Sequence, residues 1–301
     1  MNPMSKTERS LYFYGLIVVF AITIPLLISY ALGYRFNNLF VLEKTGGIYV
    51  STEKSGIDVY IDGVFEKRTN IFQRSFLIPS LKKGIHNIQV SKDGFSNWEK
   101  KVKVFEEKVT EIRPFIIPQN IALADLPPFI FPDGSPVMAT STKELALIKN
   151  KIENPEHVLA KNLFTATTSP TILPQVFASS TPKDSLIISG KMSAWKEKNE
   201  VKIMWLGDEN NIPYYFCLDE ICVKNITVPF SGDIKHFAFY TGANNLLLVS
   251  LLDCIYVAEI DNRISTQNIM PFILGENLDF RISNDGSIYI KKGDKISLAD
   301  I

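Results

Sequence analysis

Residues 11–32, LYFYGLIVVFAITIPLLISYAL, carry no charge, and no other feature of this 301-residue chain restricts its fold so tightly. At about 1.5 Å rise per residue such a run makes a helix of roughly 33 Å, enough to cross a hydrocarbon core of about 30 Å. Tyr12, Tyr14, Tyr30 and Tyr34 stand near its ends, where amphipathic rings favour the boundary between lipid and water. Pro25 is compatible with a membrane helix, and a buried core helix would rarely run this far without a charge. We expect residues 1–10 to form a short cytoplasmic tail and residues 11–34 a transmembrane helix. Lys6 and Arg9 precede the span and only Arg35 follows it closely. That bias places the body outside the cytoplasm, on a single-pass membrane protein. A cleaved signal peptide is the rival expectation, because Ser29-Tyr30-Ala31 reads as a small-x-small cleavage site. The apolar run exceeds the usual signal core of about 7–15 residues, which favours the uncleaved anchor.

Beyond the helix the hydrophobic pattern changes from continuous to alternating. Gly47-Ile48-Tyr49-Val50-Ser51 and Ile57-Asp58-Val59-Tyr60-Ile61 alternate with period two, as half-buried strands do. Asp62-Gly63 follows at once, a strong hairpin signal. Phe76-Leu77-Ile78 reads as a short strand closed by Pro79-Ser80. Lys83-Gly84 turns into another alternating run, 85–90, and Asp93-Gly94 marks a further turn. Residues 98–105 and 109–117 complete the set. Short strands at this spacing read as a small β-sandwich over about 46–118.

These residues resemble the PEGA domain, a small β-sandwich module of bacterial and archaeal envelope proteins. The resemblance rests on Ser51, Thr52, Gly56, the run 59–63 (Val-Tyr-Ile-Asp-Gly), Leu81, Gly84, His86, the run 92–95 (Lys-Asp-Gly-Phe) and Trp98, all in order. There are departures: the four residues that name the family are here Lys54-Ser55-Gly56-Ile57, and the usual Thr-Pro after the turn is Thr69-Asn70. The resemblance implies an envelope binding or spacer module with surface polysaccharide as a ligand, and no catalytic residue to carry over. Alternation puts Val59 and Ile61 on one face of their strand and Asp58, Tyr60 and Asp62 on the other. A tyrosine between two carboxylates is a ligand face suited to stacking on a sugar ring and accepting hydroxyl hydrogen bonds; the plainer alternative is a solvated sheet face.

Residues 119–301 are β-rich but less orderly. Phe237 opens a strand-turn-strand-strand series that recurs from Phe280, about 43 residues later, close to the 40–45-residue period of propeller blades. The stretches 129–135 and 144–148 suggest an earlier copy, and 200–206 the outer strand of another. The segment resembles a degenerate or incomplete propeller of the WD or TolB type, with a second sandwich as the alternative. Residues 165–182 are Ser, Thr or Pro at 11 of 18 positions, which reads as an insertion or linker. A charge split supports a boundary near residue 118: 13 Lys/Arg against 10 Asp/Glu over 37–118, then 16 against 21 over 119–301. The expected fold class is therefore mainly β: a transmembrane helix, a PEGA-like sandwich, then a propeller-like all-β domain.

Chemistry is sparse. If Asp219-Glu220 is a two-residue turn, Cys217 faces Cys222 in a non-hydrogen-bonded pair, where Cβ atoms come closest. An oxidising compartment would allow a disulfide there, and two buried thiols are the alternative. Cys254, in an apolar strand, reads as a packed thiol. His86, His157 and His236 are far apart, and no phosphate-cradling, nucleophile-elbow or zinc-helix motif occurs. We therefore expect no enzyme, cofactor or metal, and a formal net charge of zero offers no case for nucleic acid. The expected role is a membrane-anchored envelope scaffold that binds cell-wall polysaccharide or an envelope protein. A ligand sensor or carbohydrate-binding receptor is one alternative; an envelope hydrolase with its site in the last 180 or so residues is another.

Overall fold

The computed structural model describes residues 6–36, 42–126, 155–165, 186–240, 242–283 and 285–300; the expected strands at 129–135 and 144–148, and 166–182 of the Ser/Thr/Pro-rich stretch, lie outside them. The described chain is mainly β and begins with helix α1, Lys6–Ala31. Its 26 residues include a window of mean hydropathy 2.4, long and apolar enough to cross a membrane. The helix starts earlier and stops sooner than the 11–34 expected. Gly33 takes φ +84°, and the Leu32 and Gly33 amides close on the Ile28 and Tyr30 carbonyls. A left-handed glycine of this kind ends a helix, so Tyr34 opens strand β1, Tyr34–Phe36, instead of extending α1. Pro25 sits inside α1 without breaking it.

Two compact units follow from the chain's own contacts, one of Met1–Val90 with Glu99–Phe115 and one of Ser91–Trp98 with Ile116–Ile301. In the first, β2 (Leu42–Ser51), β3 (Asp58–Ile61), β4 (Val64–Arg68), β5 (Ser75–Lys82), β6 (Gly84–Ser91), β7 (Trp98–Val104) and β8 (Val109–Ile112) form two four-stranded sheets. One joins β1, β2 and β5, with β8 parallel to β2; the other has the order β4-β3-β6-β7. The alternating side chains Ile48, Val50, Val59, Ile61, Ile88 and Val104 are buried. Burying each stabilises by about 1.5–3 kcal/mol, which is why the period-two pattern fixes the strand faces. Pro79-Ser80, expected to close a strand, instead lies within β5, where the register against β2 slips between Gly46 and Ile48. A bulge accommodates a residue with no N–H to donate.

In the second unit, β9 (Ala122–Asp125) precedes a helix, α2 (Pro155–Thr165), that the periodicity reading missed. Ala160 of α2 packs against Tyr289 and Ile296, with Leu163 and Phe164 beside them. Three four-stranded antiparallel sheets follow. The first runs β10 (Leu186–Ser189), β11 (Met192–Glu197), β12 (Glu200–Trp205) and, after the small hairpin β13 (Cys217–Leu218) and β14 (Ile221–Cys222), β15 (Asn225–Pro229). Strand β12 is therefore interior, not the outer strand expected for 200–206, because β15 pairs along its other side. The second sheet is a meander of β16 (His236–Phe239), β17 (Leu246–Ser250), β18 (Cys254–Glu259) and β19 (Ile269–Leu274). The third is β20 (Leu278–Ile282), β21 (Ile288–Lys292) and β22 (Lys295–Asp300), and its fourth strand is β9, returned from far upstream. Side chains of the first two sheets share one core, among them Ala194, Val201, Ile203, Leu247, Val249 and Ala258. The sequence repeat at 237 and 280 is thus a repeat of strands, but no closed barrel or propeller is seen among the described residues.

One glycine in the sandwich admits no side chain. A Cβ on Gly46 would overlap the Phe105 carbonyl oxygen and lie 2.7 Å from Val104 Cγ1. Backbone cannot yield as a flexible side chain does, so Gly46→Ala is expected to destabilise the sandwich by about 1–3 kcal/mol. Gly232→Ala, whose Cβ would meet only Leu251 Cδ1 at 3.7 Å, should change little. Chemical unfolding of the two variants checks this; equal midpoints would refute the close-approach argument.

Candidate functional site

The candidate face is built on the β3–β4 hairpin. Ile61 pairs with Val64, leaving Asp62-Gly63 as a two-residue turn with φ of +51° and +81°. Both central residues in the left-handed region make the type of turn that matches strand twist, and glycine adopts it without strain. The short turn sets the cross-strand partners: Asp58 opposite Arg68 and Tyr60 opposite Phe65, with a bulge after Val59. Val59 and Ile61 are buried, and Asp58 and Tyr60 are half-buried on the other face.

Each expected face residue has a fixed partner. Arg68 Nε and Nη2 each donate to the Asp58 carboxylate at 2.6 Å, a two-pronged pair. The Tyr60 and Phe65 rings meet edge to face with centroids 5.6 Å apart, and Phe65 remains 53% exposed. The Asp62 carboxylate accepts from the Asn87 amide at 2.8 Å and lies 2.7 Å from His86 Nδ1. His86 Nε2 in turn faces the Lys82 carbonyl at 2.8 Å, so this histidine ties the turn to β6. Along the hairpin the face reads as an ion pair, an aromatic pair and a histidine-braced carboxylate. A carboxylate offers about four lone-pair sites, so neither Asp58 nor Asp62 is saturated by these bonds. Phe65 was not singled out from the sequence. The signal was there, because a two-residue turn at 62–63 dictates that Phe65 stands opposite Tyr60.

The cysteines stand as a cross-strand pair. Cys217 faces Cys222 with Cα atoms 4.0 Å apart and the sulfurs at bonding distance, across the turn at Asp219-Glu220. Cys254 is fully buried, and burial pushes its thiol pKa up. Elsewhere in this unit the buried charges are braced internally. Asp261 takes a two-pronged pair from Arg263 at 2.9 Å, and Glu259 accepts from the Asn268 side chain at 3.1 Å. Burial foremost, and the Arg281 charge next, lower the pKa of His236 to about 4; its ring lies against Phe280, centroids 4.8 Å apart. Among the described residues no group of three or more His, Cys, Asp or Glu is placed to hold a metal.

Electrostatics on the hairpin make a testable statement. The Asn87 amide first, and the His86 ring after it, hold the Asp62 carboxyl below its ordinary range; the Arg68 guanidinium does the same for Asp58. A carboxyl depressed in the folded state stabilises fully above its unfolded value of about 4, and that contribution is lost as pH falls through the folded values. Acid unfolding followed below pH 5 should therefore be shallower for the double variant Asp58→Asn, Asp62→Asn than for the wild type. An unchanged slope would mean that these pairs contribute nothing.

No curated protein matches the chain. Residues 45–115, which hold the hairpin and β3 to β8 with most of β2, match the family model of the PEGA domain, and this part of the chain is a PEGA domain.

Proposed function

We propose that the chain is a membrane-anchored envelope protein that binds a surface polymer through the β3–β4 face of its PEGA domain. The observation that carries this reading is the half-exposed Tyr60–Phe65 pair set between the Asp58–Arg68 and Asp62–His86 pairs. An apolar ring edge flanked by fixed carboxylates suits a saccharide, whose ring faces stack and whose hydroxyls donate. A hydrolase would call for a cleft with convergent titratable groups, whereas the buried carboxylates Glu259 and Asp261 accept hydrogen bonds from Asn268 and Arg263.

The rest of the reading has its own supports. Helix α1 serves as an uncleaved anchor, with Lys6 and Arg9 on the inner side. The apposed Cys217 and Cys222 form a disulfide in the cell, as befits an oxidising compartment. The second unit is propeller-like and presents a surface to an envelope partner. Three four-stranded antiparallel sheets favour this, as does the completion of the last sheet by β9 from the unit's start, a closure that propellers use.

Two measurements test the proposal. Full-length protein in detergent should be retained by isolated wall polysaccharide, and Tyr60→Ala or Phe65→Ala should each lower retention about tenfold, or about 1.4 kcal/mol. Retention unaltered by either change would remove the face from consideration. Alkylation of the denatured, unreduced protein should label one cysteine, and three after reduction. Three labelled without reduction would place the body in a reducing compartment and sink the outward orientation.

A further inference from the structure

Helix α1 leads through Leu32 and Gly33 into β1, which pairs with β2 of the PEGA domain. The Gly33 carbonyl accepts from both the amide and the hydroxyl of Thr45, at 3.1 and 2.7 Å, and Tyr34 pairs at once with Lys44. The first half of β2 is therefore held at the helix end. Around that joint lies an open groove of about 520 Å³. Leu32, Leu77 and Val109 supply apolar walls, Arg35 and Lys108 supply cations, and Ser80 adds a hydroxyl. The Glu107 carboxylate at its rim is paired to Lys44 at 2.9 Å.

The apolar walls are exposed: Leu77 is 50% and Val109 56% accessible. Neither position is explained by the core of the sandwich. If α1 spans a bilayer, its end at Ala31 lies at the boundary between acyl chains and headgroups. A groove lined by Ala31 and Leu32 then occupies the headgroup layer, where phosphates sit above the first methylenes of the lipid chains. Arg35 also braces the joint, donating through Nη1 to the Tyr30 and Tyr34 carbonyls and lying 3.8 Å over the Tyr30 ring. Cations above apolar side chains at this depth match one chemistry: a phosphodiester over the glycerol and upper acyl carbons of a bilayer lipid.

We infer that this groove seats a phospholipid of the surrounding bilayer, its phosphate against Arg35 and Lys108 and its glycerol end against Leu32, Leu77 and Val109. The PEGA domain thus rests on the membrane and does not stand off it. The inference depends on α1 being an anchor, as proposed above. It leaves the β3–β4 face free for its own ligand.

The test uses the full chain in vesicles of phosphatidylcholine and phosphatidylglycerol. A photo-crosslinking phenylalanine analogue is placed singly at Ile17, Leu77, Val109 or Phe72. Phe72 is the distal control: it is 98% exposed, beside Arg74, whose carbonyl accepts from Thr52. Thr52, the residue after β2, lies about 23 Å along the strand direction from Thr45. Mass spectrometry after illumination should find phospholipid adducts at 17, 77 and 109 and none at 72. Lys108→Gln, and Arg35→Gln with it, should reduce adducts at 77 and 109 several-fold while leaving those at 17 unchanged. Adducts at 17 but none at 77 or 109 would overturn the lipid seat and leave the anchor standing. No adducts at 17 would overturn both. Adducts at 77 and 109 that persist undiminished in both charge variants would overturn the headgroup site.

Discussion

If α1 spans a bilayer, as proposed, the carbonyl of Gly33 and its two donors on Thr45 stand where two very different solvents meet. Inside a bilayer every backbone group must be satisfied within its own segment, which only a helix or a closed barrel does. Outside it, strands can satisfy one another across a sheet. The chain passes from helix to strand at one glycine, whose left-handed φ ends α1 and leads directly into β1. The first sheet of the sandwich is referenced to that joint: β1 pairs with β2 beside it, and β5 and β8 are read off β2. Gly46, next to Thr45, must then be bare, because the Phe105 carbonyl occupies the space a side chain would need.

From the same strand order follows the division of labour within the PEGA domain. The sheet that contains β2 meets the helix, while the candidate face lies on β3 and β4 of the other sheet. The face itself is a product of hairpin geometry. A two-residue turn sets Tyr60 against Phe65 and Asp58 against Arg68, and His86 fixes the turn by bridging Asp62 to the Lys82 carbonyl. Binding groups held by partners of their own lose little conformational freedom when a ligand arrives.

Local chemistry made much of this legible in the sequence. The uncharged run gave away α1, Asp62-Gly63 located the hairpin, and the spacing of Cys217 and Cys222 around two turn residues brought them together. The faces of β3 followed from period two. What escaped was set by partners distant in sequence or by backbone contact. The end of α1 at Gly33 needed a positive φ, and Pro79-Ser80 looked like a strand end because a bulge has no sequence period. Helix α2 is short, and Ala160, Leu163 and Phe164 pack beside Tyr289 and Ile296, residues far away in sequence. Strand β9 has four residues and no signal of its own; β22 supplies its reason, about 170 positions away. Phe65 was within reach and was passed over.

That long-range pairing sets an order of events. Sheets one and two of the second unit are made of strands that follow one another within residues 186–274, so each can be completed as its stretch of chain emerges. The third cannot. Among the described residues β9 pairs with β22 alone, so that partner is synthesised about 170 positions after it. During that interval the edge of β9 can be captured by a chaperone or by another nascent chain. Chains interrupted before residue 295 therefore hold the residues of the helix and the PEGA domain but lack the strand with which β9 pairs.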